Sequence, residues 1–519
     1  MFVALLGSDP VWQELLRQEG VAFGLNAPES PEPPRILIID RTPKLAEVAW
    51  LRRFAATGGS LVAFAPDAQA IWRGVQGRPV RIGSILPDDS TLFRNVGEVH
   101  VHTGGWIPSG ATCGSVSGRG AVFAGRIEGS DCVLLPFDVG RLLAKVRSAA
   151  RVFPARTTKP VFEKTAAVSR GDVRRLAANA LRFLFARRGL PYVRLSYVPA
   201  GRAGTFGFRI DTDDDGFSAV QPAADLARQL VTKFTWFLAT KALGDDLGRT
   251  VREALAGQDI QYHCFRHLVY PDYERSLKDF SQGLARLRKC GVKPTAAAAP
   301  YGEWNENWAR AAVASGIGFS SEFCVAYDDL PFRVAGSDVL QVPVHPVCSS
   351  RLLAAGADEA ELVDYFRRYA LLQAARLEPC FLYDHPGKLM KVFEPMRRAL
   401  SECSELSGGW TTMTEYAAWW LRREQVSYDW SVKENTLALK VEKAQADVRG
   451  VLEWPDSAAE ARLESGTIAL DSFERKALPS PVQFDPARLP RMVGRWRAQA
   501  NETLRTLRRD GAKRKEANS

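Results

Sequence analysis

The segment from Phe206 to Gly216 constrains the fold of this 519-residue chain more than any other stretch, because a short apolar run there ends in a burst of carboxylates. The apolar part predicts a buried strand, and parallel α/β sheets and barrels place their sites where such strands end. Side chains two apart on a strand share a face, so we expect Arg209, Asp211 and Asp213 to point the same way. For isolated acids, a solvated turn after a strand would explain the same pattern.

A histidine pair further along the chain gives these acids a chemical context. His263 and His267 have the spacing His-x-x-x-His at the end of a predicted strand that begins at Asp259. With one carboxylate from elsewhere, two histidines form a three-ligand set with open positions, which suits catalytic Zn²⁺ or a similar divalent ion. Two polar core histidines would also explain the pair alone, but the Asp-x-Asp segment favours a metal site.

Strand-like and helix-like segments alternate over residues 191–424, and this alternation predicts an α/β domain built as a barrel or an open parallel sheet. The remainder of the chain divides by composition. We expect an α/β domain at 1–150, a basic linker with an amphipathic helix at 151–190, a small β module at 425–475 and a basic helical tail at 476–519. Within 191–424, helices are predicted at 271–290, 303–315, 358–377 and 413–424, and strands near 318–323, 339–344 and 379–384.

The N-terminal segment 1–150 shows a strand, a helix, a Gly58-Gly59 stop and a second strand. This order resembles class I glutamine-amidotransferase-like domains and implies a flavodoxin-like sheet. The catalytic residues of that family are not evident, since the residues around Cys113 match the nucleophile-elbow motif only in part. We therefore expect a structural or binding role for this domain.

Charge and cysteine content bound the partners and the compartment. The net charge of +10 is concentrated in residues 151–188 and 486–519, which carry +8 and +7. A solvated helix face explains such segments most simply; an anionic lipid or a phosphate-bearing substrate is the alternative, and nucleic acid is not expected. The eight scattered cysteines and the absence of a signal-peptide pattern predict a cytoplasmic protein, with peripheral attachment to the inner membrane as an option.

Together the two motifs resemble those of the NodB-type polysaccharide deacetylases, carbohydrate esterase family four. The residues in and around these motifs are most similar to those of the branch that contains the lipid-linked formamido-arabinose deformylases. The resemblance implies that Asp211 is the general base and that Asp213, with His263 and His267, binds the metal, most simply zinc.

The first motif can be aligned in two ways. In most of the family this motif has the sequence Thr-Phe-Asp-Asp-Gly. When its glycine is aligned with Gly216, the two motif aspartates correspond to Asp214 and Asp215 instead. We prefer Asp211 and Asp213 because a strand places them on one face.

The third motif of the family is matched by Pro300-Tyr301-Gly302. The resemblance implies that the Tyr301 backbone N–H stabilises an oxyanion. The arginine that normally tunes the base is replaced by Ala298, and Arg209 is a candidate substitute. A Pro-Tyr-Gly turn that merely caps a strand is the alternative for this motif.

The last motif is matched around His385, which the resemblance implies is the general acid. Asp384 either orients His385 or simply lies in the turn. His345 corresponds to a strand-end position that lines the substrate pocket, and a satisfied structural histidine is an equal alternative for it.

The resemblance implies a metal-dependent hydrolase that removes the N-acyl group of an amino sugar in a bacterial surface polysaccharide or its nucleotide- or lipid-linked precursor, as part of cell-envelope biosynthesis. Two alternatives stay open. One is a hydrolase of the same fold that acts on a cyclic imide or another non-peptide amide. The other is a catalytically inactive glycan-binding module. The sequence does not predict an oligomeric state.

Overall fold

The computed structural model describes residues 2–29 and 33–482, together with Ala500 and Leu504. Within these residues the chain forms two compact units. The first unit contains residues 2–145, 168–201 and 419–482, and the second contains 146–167 and 202–418. Each unit is therefore assembled from segments that are distant in sequence. The predicted basic helical tail lies almost entirely outside the described residues.

The first 145 residues form an α/β arrangement around a seven-stranded sheet of order β2-β1-β3-β4-β9-β8-β7. Its elements are β1 (Val3–Leu5), α1 (Pro10–Glu19), β2 (Phe23–Gly24), β3 (Ile36–Ile39), α2 (Leu45–Ala56), β4 (Ser60–Phe64), α3 (Ala65–Ala68), β5 (Gly77–Ile85), β6 (Val99–Pro108), β7 (Cys113–Val116), β8 (Arg119–Ile127), β9 (Ser130–Leu135) and α4 (Val139–Leu143). Strands β2, β1, β3, β4 and β9 are parallel to one another, and β8 and β7 extend the sheet as antiparallel strands. Strands β5 and β6 pair separately.

Strand β3 shows why this sheet forms. Its four residues are all apolar and buried. Ile36 and Ile38 pack into one hydrophobic cluster, and Leu37 and Ile39 pack into another. A continuous apolar run is typical of a parallel strand that is covered on both faces. The order of the five parallel strands is that of flavodoxin-like sheets, and the likeness to amidotransferases stays a prediction.

The part of 151–190 predicted as a linker forms paired strands instead, whereas a helix lies where the amphipathic helix was predicted. This region contains β10 (Ser148–Phe153), β11 (Val161–Ala166), α5 (Arg170–Arg187) and β12 (Tyr192–Leu195). Strands β10 and β11 form an antiparallel hairpin of the second unit, and the two prolines taken as linker signals lie in its connection. Helix α5 belongs to the first unit, where Arg174 and Arg175 are buried rather than solvated.

The second unit is built on an eight-stranded sheet of order β18-β19-β17-β16-β15-β14-β13-β20, in which every pairing except β18–β19 is parallel. Its strands are β13 (Phe206–Asp211), β14 (Thr235–Ala239), β15 (Asp259–Cys264), β16 (Ala296–Ala297), β17 (Phe319–Ser320), β18 (Phe332–Arg333), β19 (Leu340–Gln341) and β20 (Cys380–Asp384). Among the described residues, β18 and β20 do not pair, so the sheet is an open half-barrel, which agrees with the open alternative of the prediction rather than with a closed barrel.

Helices connect most of these strands. They are α6 (Phe217–Gln229), α7 (Leu247–Arg249), α8 (Tyr273–Lys289), α9 (Glu306–Ala314), α10 (Ser349–Ala354), α11 (Glu359–Arg376), α12 (Pro386–Leu389), α13 (Phe393–Leu406) and α14 (Met413–Arg423). The four helices predicted from periodicity correspond to α8, α9, α11 and α14, within a few residues at each end. None of the helices in the described part of the chain has the length and apolarity that crossing a membrane requires.

The predicted β module after residue 425 does consist of strands, but it is not a separate module. The strands are β21 (Ser427–Lys433), β22 (Thr436–Lys443), β23 (Gly450–Glu453), β24 (Ser457–Ala461), β25 (Gly466–Ala469) and β26 (Lys476–Ala477). Strand β23 pairs with β12, and Trp430 and Leu437 pack into the same core as Phe2. These pairings join distant segments, which a reading of the chain in order could not show.

Candidate metal and catalytic site

The candidate site lies at the C-terminal edge of the second unit's sheet. Strands β20, β13, β14, β15 and β16 are consecutive neighbours and run parallel. Asp211 ends β13, His263 lies near the end of β15, and His385 directly follows β20. Because these strand ends meet at one edge, side chains from four separate stretches of sequence come together there.

Asp213 is the centre of the cluster. Its Oδ1 lies 3.1 Å from Nε2 of His263 and 3.0 Å from Nε2 of His267, and its Oδ2 lies 3.3 Å from Nε2 of His385. Burial alone would raise the pKa of Asp213, but the surrounding imidazoles hold this pKa well below its usual value. Asp213 has a φ of 41°, in the left-handed region that non-glycine residues rarely adopt. Strained backbone of this kind is typical of functional sites.

The donor set of Asp213, His263 and His267 fits a divalent metal ion. Nδ1 of His263 lies 2.7 Å from the carbonyl oxygen of Ala298, which fixes the proton on Nδ1 and leaves the lone pair of Nε2 facing the cluster. Nε2 of His267 is buried and has no hydrogen-bond partner of acceptable geometry among the described residues. One ligand atom from each of the three residues lies within 4.8 Å of the others. Two imidazoles and a carboxylate are a common catalytic zinc set.

The loop between the two histidines is fixed by a residue that the sequence did not reveal. Asp279 of α8 accepts hydrogen bonds from the backbone N–H groups of Phe265 and Arg266, at 3.0 and 2.9 Å. It also accepts a hydrogen bond of 2.6 Å from the Tyr262 hydroxyl. A carboxylate that holds three donors makes this loop rigid, so that His267 is presented in one position.

Asp211 and Arg209 form a buried bidentate ion pair on the same face of β13. The Arg209 Nε and Nη2 atoms donate to the two carboxylate oxygens of Asp211 at 2.7 and 2.6 Å. Arg209 also donates from Nη1 to the carbonyl oxygen of Ser321 at 2.5 Å. The structure thus places a guanidinium against the predicted base, where the sequence suggested that Arg209 would substitute for the missing arginine.

The alternative pair in the first motif is placed differently. Asp214 is exposed. Asp215 is half-buried and accepts a hydrogen bond of 2.8 Å from the backbone N–H of Gly387, which ties the turn after β13 to the start of α12. Neither carboxylate belongs to the cluster around Asp213. This placement favours the Asp211 and Asp213 alignment.

The Pro300-Tyr301-Gly302 segment forms a 3₁₀ turn just after β16. Pro300 is buried, and Tyr301 has a φ of 60° and a ψ of 14°. The Tyr301 ring lies 4.6 Å from the ring of His267, centroid to centroid. Tyr301 also lines the pocket in front of Asp211 and His385. The turn is thus next to the cluster around Asp213.

His385 faces the cluster, but Asp384 does not orient it through a hydrogen bond. Nδ1 of His385 lies 3.9 Å from Oδ1 of Asp384, which is too long. The two Asp384 oxygens instead accept backbone N–H groups from His385 itself and from Ser349, at 2.9 and 3.1 Å. Asp384, the last residue of β20, therefore holds the backbone at the start of the following segment rather than the imidazole of His385. Burial would lower the pKa of His385, but Asp213 and Cys348 raise it to about 10.

His345 does not line the pocket. This placement contradicts its predicted role as a pocket residue and agrees with the alternative, a satisfied structural histidine. Its Nδ1 lies 2.9 Å from Oδ1 of Asp328, and its Nε2 lies 2.9 Å from the Tyr365 hydroxyl. Its ring stacks on Tyr369 with a centroid distance of 3.9 Å. Both ring nitrogens are satisfied within a buried polar group, which is why His345 is not available to a substrate.

A pocket of about 190 Å³ opens in front of the cluster. One of its walls comes from the hairpin β10–β11, through Glu163 and Lys164. Glu163 accepts two hydrogen bonds from Arg351, at 2.5 and 2.9 Å, and Lys164 donates to Glu303 at 3.0 Å. These residues were not predicted as part of the site, because the hairpin lies in a segment that was predicted to be a linker. The available signal was the strand-favouring residues Val161, Phe162 and Thr165 in β11. The whole lining consists of Glu163, Lys164, Asp211, Asp213, Tyr301, Gly302, Phe323, Cys348, Ser350, Arg351, Tyr383 and His385.

No protein-family model and no curated protein matches this sequence. Similar solved structures cover less than half of the chain. A family 4 carbohydrate esterase from Streptomyces lividans, in complex with acetate, is 15% identical over 39% of this chain and 90% of its own, with a TM-score of 0.29. An allantoinase is 14% identical over 43% and 92%, with a TM-score of 0.38. A CE4 family pseudoenzyme from Bacillus anthracis is 12% identical over 41% and 65%, with a TM-score of 0.31. At these values the similarities decide neither fold nor activity.

Proposed function

We propose that the second unit is a metal-dependent amidohydrolase that removes an N-acyl group from an amino sugar. The observation that carries this proposal is the convergence on one oxygen: Asp213 Oδ1 lies within 3.1 Å of Nε2 of both His263 and His267. The base candidate and the acid candidate flank this cluster on neighbouring strands. The same arrangement matches the motif order of the NodB-type deacetylases.

Asp213, His263 and His267 would hold the metal ion, most simply zinc. When bound, such an ion supplies Lewis acidity that makes a water more acidic and polarises a carbonyl group. The remaining positions of the ion would face the pocket, since Asp213 is among the pocket's lining residues.

Asp211 has the position of the general base. Its carboxylate is oriented by the bidentate contact with Arg209 and lines the pocket, where it can accept a proton from a water. Arg209 is therefore a positioning residue of this base.

His385 has the position of the general acid, on the opposite side of Asp213 from the pair of ligand histidines. It lies at the pocket surface with 20% of its side chain exposed, so a departing amine can reach it. A proton held on the imidazole converts the amine into a better leaving group as the C–N bond breaks. The products are a free amine and a carboxylate.

The pocket wall favours a neutral, hydroxyl-rich substrate such as an amino sugar. Both of its cations, Arg351 and Lys164, already contact carboxylates, in the pairs with Glu163 and Glu303. An anionic substrate group would have to compete with these carboxylates. Sugar hydroxyls can instead donate to a carboxylate and accept from the neighbouring cation, and charge-assisted hydrogen bonds of this kind are strong.

The proposal is tested by incubating zinc-loaded protein with N-acetylated and N-formylated amino sugars, free and nucleotide-linked, and with cyclic imides. Proton NMR then measures release of acetate or formate, or opening of the imide. We expect acyl release from at least one sugar, and we expect Asp211→Asn to lose it while retaining the metal. Opening of imides alone would favour the alternative hydrolase, and binding of sugars without turnover would favour a glycan-binding module.

A further inference from the structure

A second group of metal-ligating side chains adjoins the candidate site. It consists of Cys348, Asp384 and His385, whose ligand atoms lie within 4.8 Å of one another. Cys348 and Asp384 are buried, with exposures of 1% and 0%. Cys348 and His385 both line the pocket, so a small ion can enter from solvent. The reaction proposed above uses His385 alone of these three residues.

The ring of His385 lies between the two groups. Its Nε2 is 3.3 Å from Oδ2 of Asp213, whereas its Nδ1 is 3.9 Å from Oδ1 of Asp384. The longer distance is too great for a hydrogen bond, and an ion placed between two ligands typically holds them farther apart than a hydrogen bond does. Nδ1 therefore faces the second group, and Nε2 faces the first.

The two other ligands keep donor capacity for a cation. Each oxygen of Asp384 accepts one backbone N–H, and a carboxylate oxygen has a second lone pair. The sulfur of Cys348 lies 3.2 Å from the Ser350 hydroxyl oxygen, which can donate to a thiolate. Sulfur, nitrogen and oxygen ligands with a water in the fourth position form a set that Zn²⁺ accepts readily, and the thiolate selects against Mg²⁺ and Ca²⁺.

We propose that Cys348, Asp384 and Nδ1 of His385 form a second, thiolate-containing site for Zn²⁺ or a similarly thiophilic divalent ion. Binding releases the thiol proton of Cys348 to solvent, together with any proton on Nδ1. The second ion would lie at the Nδ1 edge of the His385 ring, whereas the Nε2 edge points toward Asp213.

The consequence for catalysis rests on the proposed function. An ion held by Cys348 and His385 occupies the part of the pocket in which a departing amine would meet His385. Departure of the amine then slows. The second site is therefore inhibitory, and zinc in excess of one equivalent lowers the hydrolytic rate at least tenfold.

The test is a cobalt titration of the full-length, metal-free protein, followed by absorption spectroscopy and by metal analysis after gel filtration. Co²⁺ bound to a thiolate gives an intense sulfur-to-metal charge-transfer band in the near ultraviolet. We expect two equivalents per chain, with the band growing with the second. Cys348→Ser is expected to bind one equivalent without the band, and Cys290→Ser, which alters a half-buried thiol at the end of α8, should behave as the unmodified chain does.

Three outcomes would overturn the proposal: a single equivalent with no band, a band that persists in Cys348→Ser, or a second equivalent that survives His385→Ala. Thermal melting of each variant verifies that it is folded. The titration does not depend on turnover, so two equivalents with a Cys348-dependent band in a protein that hydrolyses nothing would refute the proposed function and keep the second site. Binding of only one equivalent of Co²⁺ by a protein that is an active hydrolase would refute the second site and keep the proposed function.

Discussion

Both units bury arginines against carboxylates, but the second unit also holds a carboxylate among imidazoles. In the first unit, Glu453 contacts both Arg182 and Arg194, and Glu19 contacts Arg174 and the hydroxyl groups of Tyr192 and Tyr197. In the second unit, Arg209 closes on Asp211 in the same manner. The neighbouring Asp213, however, is surrounded by imidazoles and opens on a pocket.

The difference separates structural from functional burial of charge. Burial would raise the pKa of Glu453, yet Arg182 and Arg194 lower it to about 2, as expected of a carboxylate whose charge is compensated. The charges of the first unit are satisfied by one another. Nε2 of His267 has no hydrogen-bond partner of acceptable geometry among the described residues, so the groups around Asp213 are less fully paired than the charges of the first unit. The following predictions, from the largest effect to the smallest, test this contrast.

Removing the central carboxylate of the second unit should abolish function and spare the fold. We expect Asp213→Ala to lower kcat/KM at least 10³-fold, which corresponds to about 4 kcal/mol of barrier, and to abolish zinc retention at the Asp213 cluster. Kinetics and metal analysis measure these losses. Asp214→Ala is the matched control, because it removes an exposed aspartate next in sequence and should change neither quantity. Comparable losses in both variants would contradict the assignment.

Removing a carboxylate of the first unit should have the reverse effect. Glu453→Ala leaves two buried or half-buried guanidinium groups without their shared partner, and breaking such a buried pair costs about 3–5 kcal/mol. Urea unfolding followed by circular dichroism measures the change in the free energy of unfolding. The folded variant should still bind zinc. The exposed Glu442→Ala serves as control, and equal stability of the two variants would refute a structural role for this network.

Buried Glu322 in the second unit should give the opposite pH dependence from Glu453. Burial raises its pKa from 4.5 to about 7. A carboxyl group with a raised folded pKa contributes stability that is present below the unfolded pKa and is lost as pH rises through the folded one. Between pH 4.5 and pH 7 this loss is on the order of 3 kcal/mol. Denaturant unfolding of Glu322→Gln should lack that slope, and an unchanged slope would exclude Glu322 as its source.

The hairpin wall should affect substrate binding more than chemistry. We expect Glu163→Gln to raise KM for the sugar substrate about tenfold, roughly 1.4 kcal/mol, because the pair with Arg351 is weakened. The value of kcat should change little, and hydrolysis of a small acetyl ester should not change. Steady-state kinetics on both substrates measure the contrast. Thr157→Ala, in the exposed connection of the hairpin, is the control. A fall in kcat with KM unchanged would contradict a binding role.

The strand-end motifs of the second unit could be predicted from sequence because local patterns carry them. The apolar run before Asp211 and the spacing of His263 and His267 specified both the strands and the edge of the sheet. Four of the helices within 191–424, namely α8, α9, α11 and α14, were likewise predicted from their periodicity. The preference for Asp213 over Asp215 was based on alternation along a strand, but β13 ends at Asp211 and Asp213 reaches the cluster from the turn that follows.

The parts that sequence reasoning missed depend on contacts between distant segments. Glu163 reaches the pocket because β11 pairs with β10 within the second unit, and two prolines in their connection imitate a linker. The arginines of α5 looked like a solvated face, yet Arg174 is buried because Glu19, far away in sequence, neutralises it. The role of His345 depended on Asp328 and Tyr365, neither of which is adjacent to it in sequence.

The central claim is that one oxygen of Asp213 and the Nε2 atoms of His263 and His267 share a metal ion. X-ray absorption spectroscopy at the zinc edge, on protein loaded with one equivalent, tests it most directly. The account predicts outer-shell scattering from two imidazoles at full occupancy, and from one imidazole in His263→Ala. A zinc environment dominated by sulfur, or one that is unchanged in His263→Ala, would contradict it.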